Sequence, residues 1–230
     1  MCIISRMPNC HTLVMSDLHL GSKICRGDKI LELLRSAKFD TLIINGDLFD
    51  SDSTHRLTQT HWEILSALSA IAEHKKVLLV GGNHGRELDL IPRKMNIEVL
   101  DEYAFNVGNR QFLCLHGDEF DTFTRHLPGT TKLFSKIFNL IQKTGNENQR
   151  FSMLIKRASK RIMGTSRRQR RLALKRGALE HVDVVICSHT HLPHVAKKDG
   201  ILFINSGSFC DDPSTYITIN KEGITRLEEM

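Results

Sequence analysis

Residues 182–194 read VDVVICSHTHLPH. The first six are mostly apolar with little alternation, the composition of a strand covered on both faces. Three imidazoles follow directly, at His189, His191 and His194. A buried strand that ends this way delivers its histidines to one end of a sheet, and α/β folds gather ligands at the carboxyl ends of their strands.

Four more runs have the same character: LVM at 13–15, LII at 42–44, VLLV at 77–80 and FLCL at 112–115. Each leads into donor side chains, Asp17 and His19 after the first, Asp47 after the second, Asn83 and His84 after the third, and His116 after the fourth. Between the early runs, DKILELLRSA (28–37) and THWEILSALSAIAEH (60–74) carry apolar residues three and four apart, which predicts helices. Past residue 95 the pattern tightens to strands near 97–100, 103–107 and 111–115, with NVGNRQ as a hairpin turn, and strands at 201–204 and 215–219 close the chain. The chain reads as α/β at its start, with a second, partly antiparallel sheet after it.

A chain of 230 residues that is 40% hydrophobic is long enough to bury a large core in a single domain, 1–230. Its opening lacks the apolar core of a signal peptide, and no window approaches a membrane span, which places it in the cytoplasm. The six cysteines form no C-x-x-C pair and read as reduced thiols. The net charge of +6 is unevenly spread, because residues 122–179 carry 15 basic residues against the single acid Glu147 while the remainder is net negative. Leu133, Phe134, Ile137, Phe138, Leu140 and Ile141 form one stripe of a helical pattern there, so about 124–180 is expected to be an inserted helical cap. Its basic face suits an anionic membrane surface, peripheral to the inner leaflet. Nucleic acid ranks behind, since the segment has no Tyr or Trp to stack on bases, and a solvated basic face is the plain alternative.

The spacings D-x-H and H-x-H put both members on one side of an extended chain. Carboxylate, imidazole and amide donors without thiolate favour Mn2+, Fe2+ or Zn2+. Seven candidates exceed one tetrahedral ion, and two ions sharing a carboxylate would clamp an in-line displacement at phosphorus.

The blocks SDLHLG, GDLFD, GGNH, HGD and SHTH resemble the ordered motifs of the calcineurin-like metallophosphoesterases. The resemblance runs from about residue 12 to 210 and implies a β-sandwich flanked by helices. Within that family the chain is most similar to the UDP-2,3-diacylglucosamine pyrophosphatase group, whose helical cap precedes the last H-x-H. It implies one metal on Asp17, His19 and His191, a second on Asn83, His116 and His189, and Asp47 bridging them, with Asp47 and His84 catalytic. Arg86, His126 and Asn205 are candidate substrate contacts. The function implied is binuclear hydrolysis of a phosphoester or pyrophosphate bond. A lipid-linked nucleotide is the suggested substrate; the alternatives are a soluble phosphomonoesterase or nucleotide or nucleic-acid phosphodiesterase, and a non-catalytic scaffold. Three departures stand out. Gly85 occupies the place of an acid that would orient His84, leaving Glu87 or Asp89 to supply it; His84 stands where the pyrophosphatase group has arginine; and Ser188 replaces a glycine at small expected cost. Asp118 is a candidate to orient His116.

Overall fold

The computed structural model describes residues 8–121 and 164–230. The strands are β1 (Thr12–Met15), β2 (Thr41–Asn45), β3 (Lys76–Val80), β4 (Glu98–Leu100), β5 (Glu102–Val107), β6 (Arg110–Leu115), β7 (Val184–Cys187), β8 (His194–Lys198), β9 (Ile201–Asn205), β10 (Thr215–Ile219) and β11 (Thr225–Glu229). The helices are α1 (Gly27–Ser36), α2 (Gln59–Ala72), α3 (Leu90–Lys94) and α4 (Thr165–Leu179).

Two sheets form, in the orders β11-β10-β1-β2-β3-β4 and β5-β6-β7-β9-β8. The apolar runs lack alternation because each strand's two faces enter two different cores. Leu13, Met15, Leu42, Ile44, Val77 and Leu79 join Ile30, Leu34, Ile64 and Leu68 of α1 and α2 in an outer core. Their neighbours Val14, Ile43, Leu78 and Val80 face Phe112, Cys114, Val184 and Ile186 of the other sheet. The second sheet's remaining face, Leu113, Leu115, Val185 and Cys187, packs on Ala173 of α4. The result is helix, sheet, sheet, helix, a β-sandwich flanked by helices.

β1, β2, β3 and β4 run parallel, as do β6, β7 and β9. The carboxyl ends of β1, β2 and β3 therefore share one side of the first sheet, and those of β6 and β7 one side of the second. Asn45 Nδ2 at the end of β2 donates to the Leu115 carbonyl at the end of β6, 3.1 Å away, which joins the two sheets at that mouth.

β8 and β11 were not anticipated. Both are edge strands of polar composition, HVAKK and TRLEE, without the apolar run that marks a covered strand. Of the expected cap, 165–179 is α4, laid against β7 and β9 with Gln169, Ala173 and Gly177 buried; residues 122–163, including His126, lie outside the described residues. Among the described residues no helix is long and apolar enough to cross a membrane.

Candidate metal centre

Each candidate ligand sits one to four residues past a strand end, in loops that continue to pair through their backbones. Asp17 N donates to the Gly46 carbonyl (3.2 Å) and His19 N to the Asp47 carbonyl (3.0 Å), so the loops after β1 and β2 run side by side. The backbone is not extended here, contrary to the expectation from the two-residue spacing. Asp17, His19, Asp47, His189 and His191 all have left-handed φ, between 47° and 62°. They are five of the eight non-glycine residues with positive φ among the described residues. Asp and His enter that region more readily than most residues, and such strain concentrates at functional sites.

The side chains close on one another. His191 Nε2 lies 3.0 Å from Asp17 Oδ1 and 3.2 Å from His19 Nε2. Asp47 Oδ2 stands between two lobes, 3.7 Å from His19 Nε2 and 3.4 Å from His116 Nε2. Asn83 Oδ1 is 3.3 Å from His116 Nε2, and the His189 ring lies 5.2 Å from that of His116. Two sets, Asp17 with His19 and His191, and Asp17 with Asp47 and His116, bring one ligand atom per residue within 4.8 Å of each other. All seven residues anticipated from sequence thus meet at one mouth.

A divalent cation fits this donor set. Asp17 Oδ1 is buried with no hydrogen-bond partner, although two imidazole nitrogens lie within 3.9 Å. Unpaired buried acceptors are costly unless a cation or water meets them. Two glycines make the approach: a Cβ on Gly82 would fall 2.1 Å from Asp47 Oδ1, and one on Gly46 would fall 1.9 Å from His116 Nδ1. The electrostatics agree. Burial alone would raise the carboxyl pKa values of Asp17 and Asp47, yet His191 beside the first and His116 beside the second hold both below the usual carboxylate range. Burial likewise works against charge on His116, but the facing Asp47 carboxylate prevails and lifts its pKa to about 10. The pocket is built for positive charge among carboxylates.

A surrounding set of groups orients the ligands, and most of it escaped the sequence reading. His189 Nε2 meets Asp121 Oδ2 at 3.2 Å, so the acid of HGDEFD that contacts a histidine is Asp121. Asp118 opens a 3-10 turn, and His116 Nδ1 is instead 2.8 Å from Ser188 Oγ. Asp211 Oδ2 lies 3.7 Å from His191 Nδ1, and Asp50 Oδ1 lies 3.6 Å from His19 Nδ1. Arg56 pairs with the same Asp50 carboxylate at 2.7 Å. The closing aspartates of GDLFD and HGDEFD were the available signals.

His84 is held without the missing acid. Its backbone N–H donates to Asp47 Oδ1 (2.9 Å), and its Nδ1 lies 3.0 Å from the Asp50 carbonyl oxygen. Because a carbonyl only accepts, Nδ1 carries the proton. It is the Asp50 carbonyl that meets His84 Nδ1; the Glu87 backbone N–H is bound to Asp52, and Asp89 lies at the amino end of α3. Gly85 has φ 65° and its Cβ would fall 2.5 Å from Phe49 Cβ, so this backbone has no room for an acid there.

The expected substrate contacts fare differently. Arg86 Nε donates to the Gly82 carbonyl oxygen at 2.5 Å, with its guanidinium 4.0 Å from Asp101. Asn205 is 1% exposed, its Nδ2 donates to Gln169, Ser188 and Thr190, and its Oδ1 accepts from Gly207 N, so its amide is engaged in anchoring the loop.

Residues 11–222 match the family model of the calcineurin-like phosphoesterase superfamily domain. No curated protein matches the chain. Among solved structures, a novel archaeal phosphodiesterase is similar at TM-score 0.51 with 15% identity, over 95% of this chain and 99% of that one. YfcE, a phosphoesterase from E. coli, aligns at TM-score 0.48 with 18% identity over 91% and 87%. A single mutant of Vps29 from Entamoeba histolytica aligns at 0.49 with 15% identity over 95% and 97%. At these identities the likeness is one of fold.

Proposed function

Given that the chain belongs to the calcineurin-like phosphoesterase superfamily, we propose that it is a two-metal hydrolase of a phosphoester or pyrophosphate bond. The observation that carries this reading is the meeting of Asp17, His19, Asp47, Asn83, His116, His189 and His191 at one mouth of the sandwich. In this reading Asp17, His19 and His191 would hold one divalent ion and Asn83, His116 and His189 the other, with Asp47 shared between them. With its Nε2 on Asp121, His189 would be left to ligate through Nδ1. Such a pair of ions, Mn2+ foremost, would supply Lewis-acid polarisation of phosphoryl oxygens and a water acidified toward hydroxide at neutral pH.

The protein's own groups supply the rest. Paired carboxylates behind the imidazoles raise their basicity and fix their rings. His84, half out of the mouth, 5.1 Å from the His19 ring and steadied by the Asp50 carbonyl, is placed to serve the leaving oxygen. Protonated at Nε2, it gives that proton to the departing oxygen and becomes the neutral Nδ1–H tautomer that Asp50 already holds.

For the substrate, we propose a lipid-linked nucleotide, supported by the likeness of SDLHL, GDLF and HGD to the UDP-2,3-diacylglucosamine pyrophosphatase group and by the basic character of 122–179. That basic segment would also meet an anionic membrane surface. A specific observation favours a second reading, a soluble phosphomonoesterase or phosphodiesterase: His84 occupies the place of that group's arginine, and Arg86 is engaged by the Gly82 carbonyl.

Asp47→Ala and His116→Ala are expected to abolish Mn2+-dependent hydrolysis; activity persisting in both refutes the two-metal site. A panel of phosphate substrates, assayed with and without detergent micelles, separates the substrate readings. Preference for soluble nucleotides rejects the lipid-linked one.

A further inference from the structure

We propose that Ser188 is a positioning residue that fixes the His116 ring in the tautomer able to ligate a metal through Nε2. The inference rests on the two-metal reading and adds to it a residue that stands where the family pattern has glycine.

Proton accounting leads there. Ser188 Oγ lies 2.5 Å from the Asn45 carbonyl oxygen, 3.3 Å from the His116 carbonyl oxygen and 2.8 Å from His116 Nδ1. A hydroxyl has one proton, and a carbonyl oxygen can only accept. At 2.5 Å two oxygen lone pairs cannot face each other unshared, so the proton lies toward Asn45. The hydroxyl therefore presents a lone pair to His116 Nδ1, which must bring its own proton. The Asn45 carbonyl, 3.3 Å from the same nitrogen, is a second acceptor. With Nδ1–H settled by two acceptors, Nε2, which faces Asp47 Oδ2 and Asn83 Oδ1, is the atom whose proton a metal would displace.

The hydroxyl is itself held in place. Ser188 is fully buried, its N–H donates to the His116 carbonyl (3.0 Å), and its carbonyl accepts from Gln169 of α4 (2.9 Å) and from Asn205 (2.8 Å). Asn45 ends β2 of the first sheet and His116 directly follows β6 of the second, so this one hydroxyl couples the two sheets at the mouth. Partners of this kind typically matter to metal affinity by about 10–100-fold.

The test uses the full chain stripped of metal and titrated calorimetrically with Zn2+. Ser188→Ala, and Ser188→Gly as the variant matching the family pattern, are expected to weaken one of two sites about 10–100-fold and leave the other as in the wild type. In zinc-loaded protein labelled with 15N-histidine, the His116 Nδ1–H resonance should be protected in the wild type and should shift and exchange faster in either variant, where the Asn45 carbonyl at 3.3 Å is the acceptor that remains. In the His116→Ala background, Ser188→Ala should weaken metal binding no further. Unchanged affinity and an unchanged Nδ1–H resonance in both variants overturn the inference while leaving the metal reading intact. A wild-type chain that takes up no ion overturns the metal reading itself.

Discussion

Gly82→Ala isolates the geometry of the proposed bridging ligand. The added methyl would lie 2.1 Å from Asp47 Oδ1 and 2.5 Å from Asp47 N, against about 3.4 Å for an ordinary contact. The carboxylate must retreat by about 1.3 Å and the Asp47 backbone must give way as well, far outside the tolerance of about 0.2 Å for a metal ligand distance. Gly82 has no left-handed φ, so alanine brings no backbone strain of its own. Gly81, its neighbour, is the control, because its Cβ would meet Arg86 Nη2 at 3.5 Å, an ordinary contact. A misplacement of about 1 Å commonly costs about 100-fold in rate, and overpacking costs about 1–3 kcal/mol in stability. Gly82→Ala is therefore expected to remain folded, bind Mn2+ at least about 100-fold more weakly and lose hydrolysis by a similar factor, while Gly81→Ala behaves as wild type. The assays are calorimetric metal titration, initial rates and thermal melting of the metal-free proteins. Wild-type metal affinity and rate in Gly82→Ala would refute the assignment of Asp47 as a ligand; equal losses in both variants would refute the steric cause.

His84→Ala is expected to lower the rate by about 100- to 10,000-fold with metal content unchanged by elemental analysis, since the proposed mechanism gives His84 the leaving oxygen and not the ions. Gly85→Asp, which restores the acid of the family pattern, should lower stability by about 1–3 kcal/mol in denaturant titration and give no gain in rate, because φ is 65° and Phe49 fills the space. His61 Nδ1 accepts from both Thr58 N (3.0 Å) and Gly21 N (3.2 Å), tying the start of α2 to the loop that carries His19. Burial lowers its pKa from 6.5, so the native state binds fewer protons than the unfolded chain; its contribution is present above 6.5 and is lost as pH falls from there through the lowered native value. Thermal melts from pH 7.5 to 5 should show a shallower acid slope for His61→Gln than for the wild type.

The architecture was legible where burial dictates composition. The runs at 13–15, 42–44, 77–80, 112–115 and 182–187 have no polar face because both faces are covered, and each falls on an observed strand. β8 and β11 were illegible for the converse reason, since a polar edge strand and a loop have the same composition. At the site, the donor types and their places after the strands were enough to list the residues that converge. Their supporting groups were not, because such a partner is chosen by three-dimensional proximity. Ser188 reads as a neutral exchange for glycine until Asn45 and His116, 143 and 72 residues away, are seen against its hydroxyl. Asp121 and Asp118 are three residues apart in the same motif, and only the turn between them decides which one reaches a histidine.

The two-residue spacing of D-x-H and H-x-H also has a different physical basis from the one an extended strand suggests. Asp17, His19, His189 and His191 are all left-handed, a conformation that costs most L-residues about 1–2 kcal/mol each. Such strain persists only where surrounding structure over-determines it. Here the pairing of the first loop with the second, through Asp17 N to the Gly46 carbonyl and His19 N to the Asp47 carbonyl, supplies that determination from the protein alone. On the other loop, His189 N donates to Asp17 Oδ2. The ligand backbone is thus fixed by the sandwich and by the carboxylates themselves, in a shape that Asp and His tolerate better than β-branched or bulky residues. The residue types at these positions answer two demands at once, donor chemistry and left-handed backbone, and this is why so short a motif can bring two ligands to one cluster without a strand's pleat to align them.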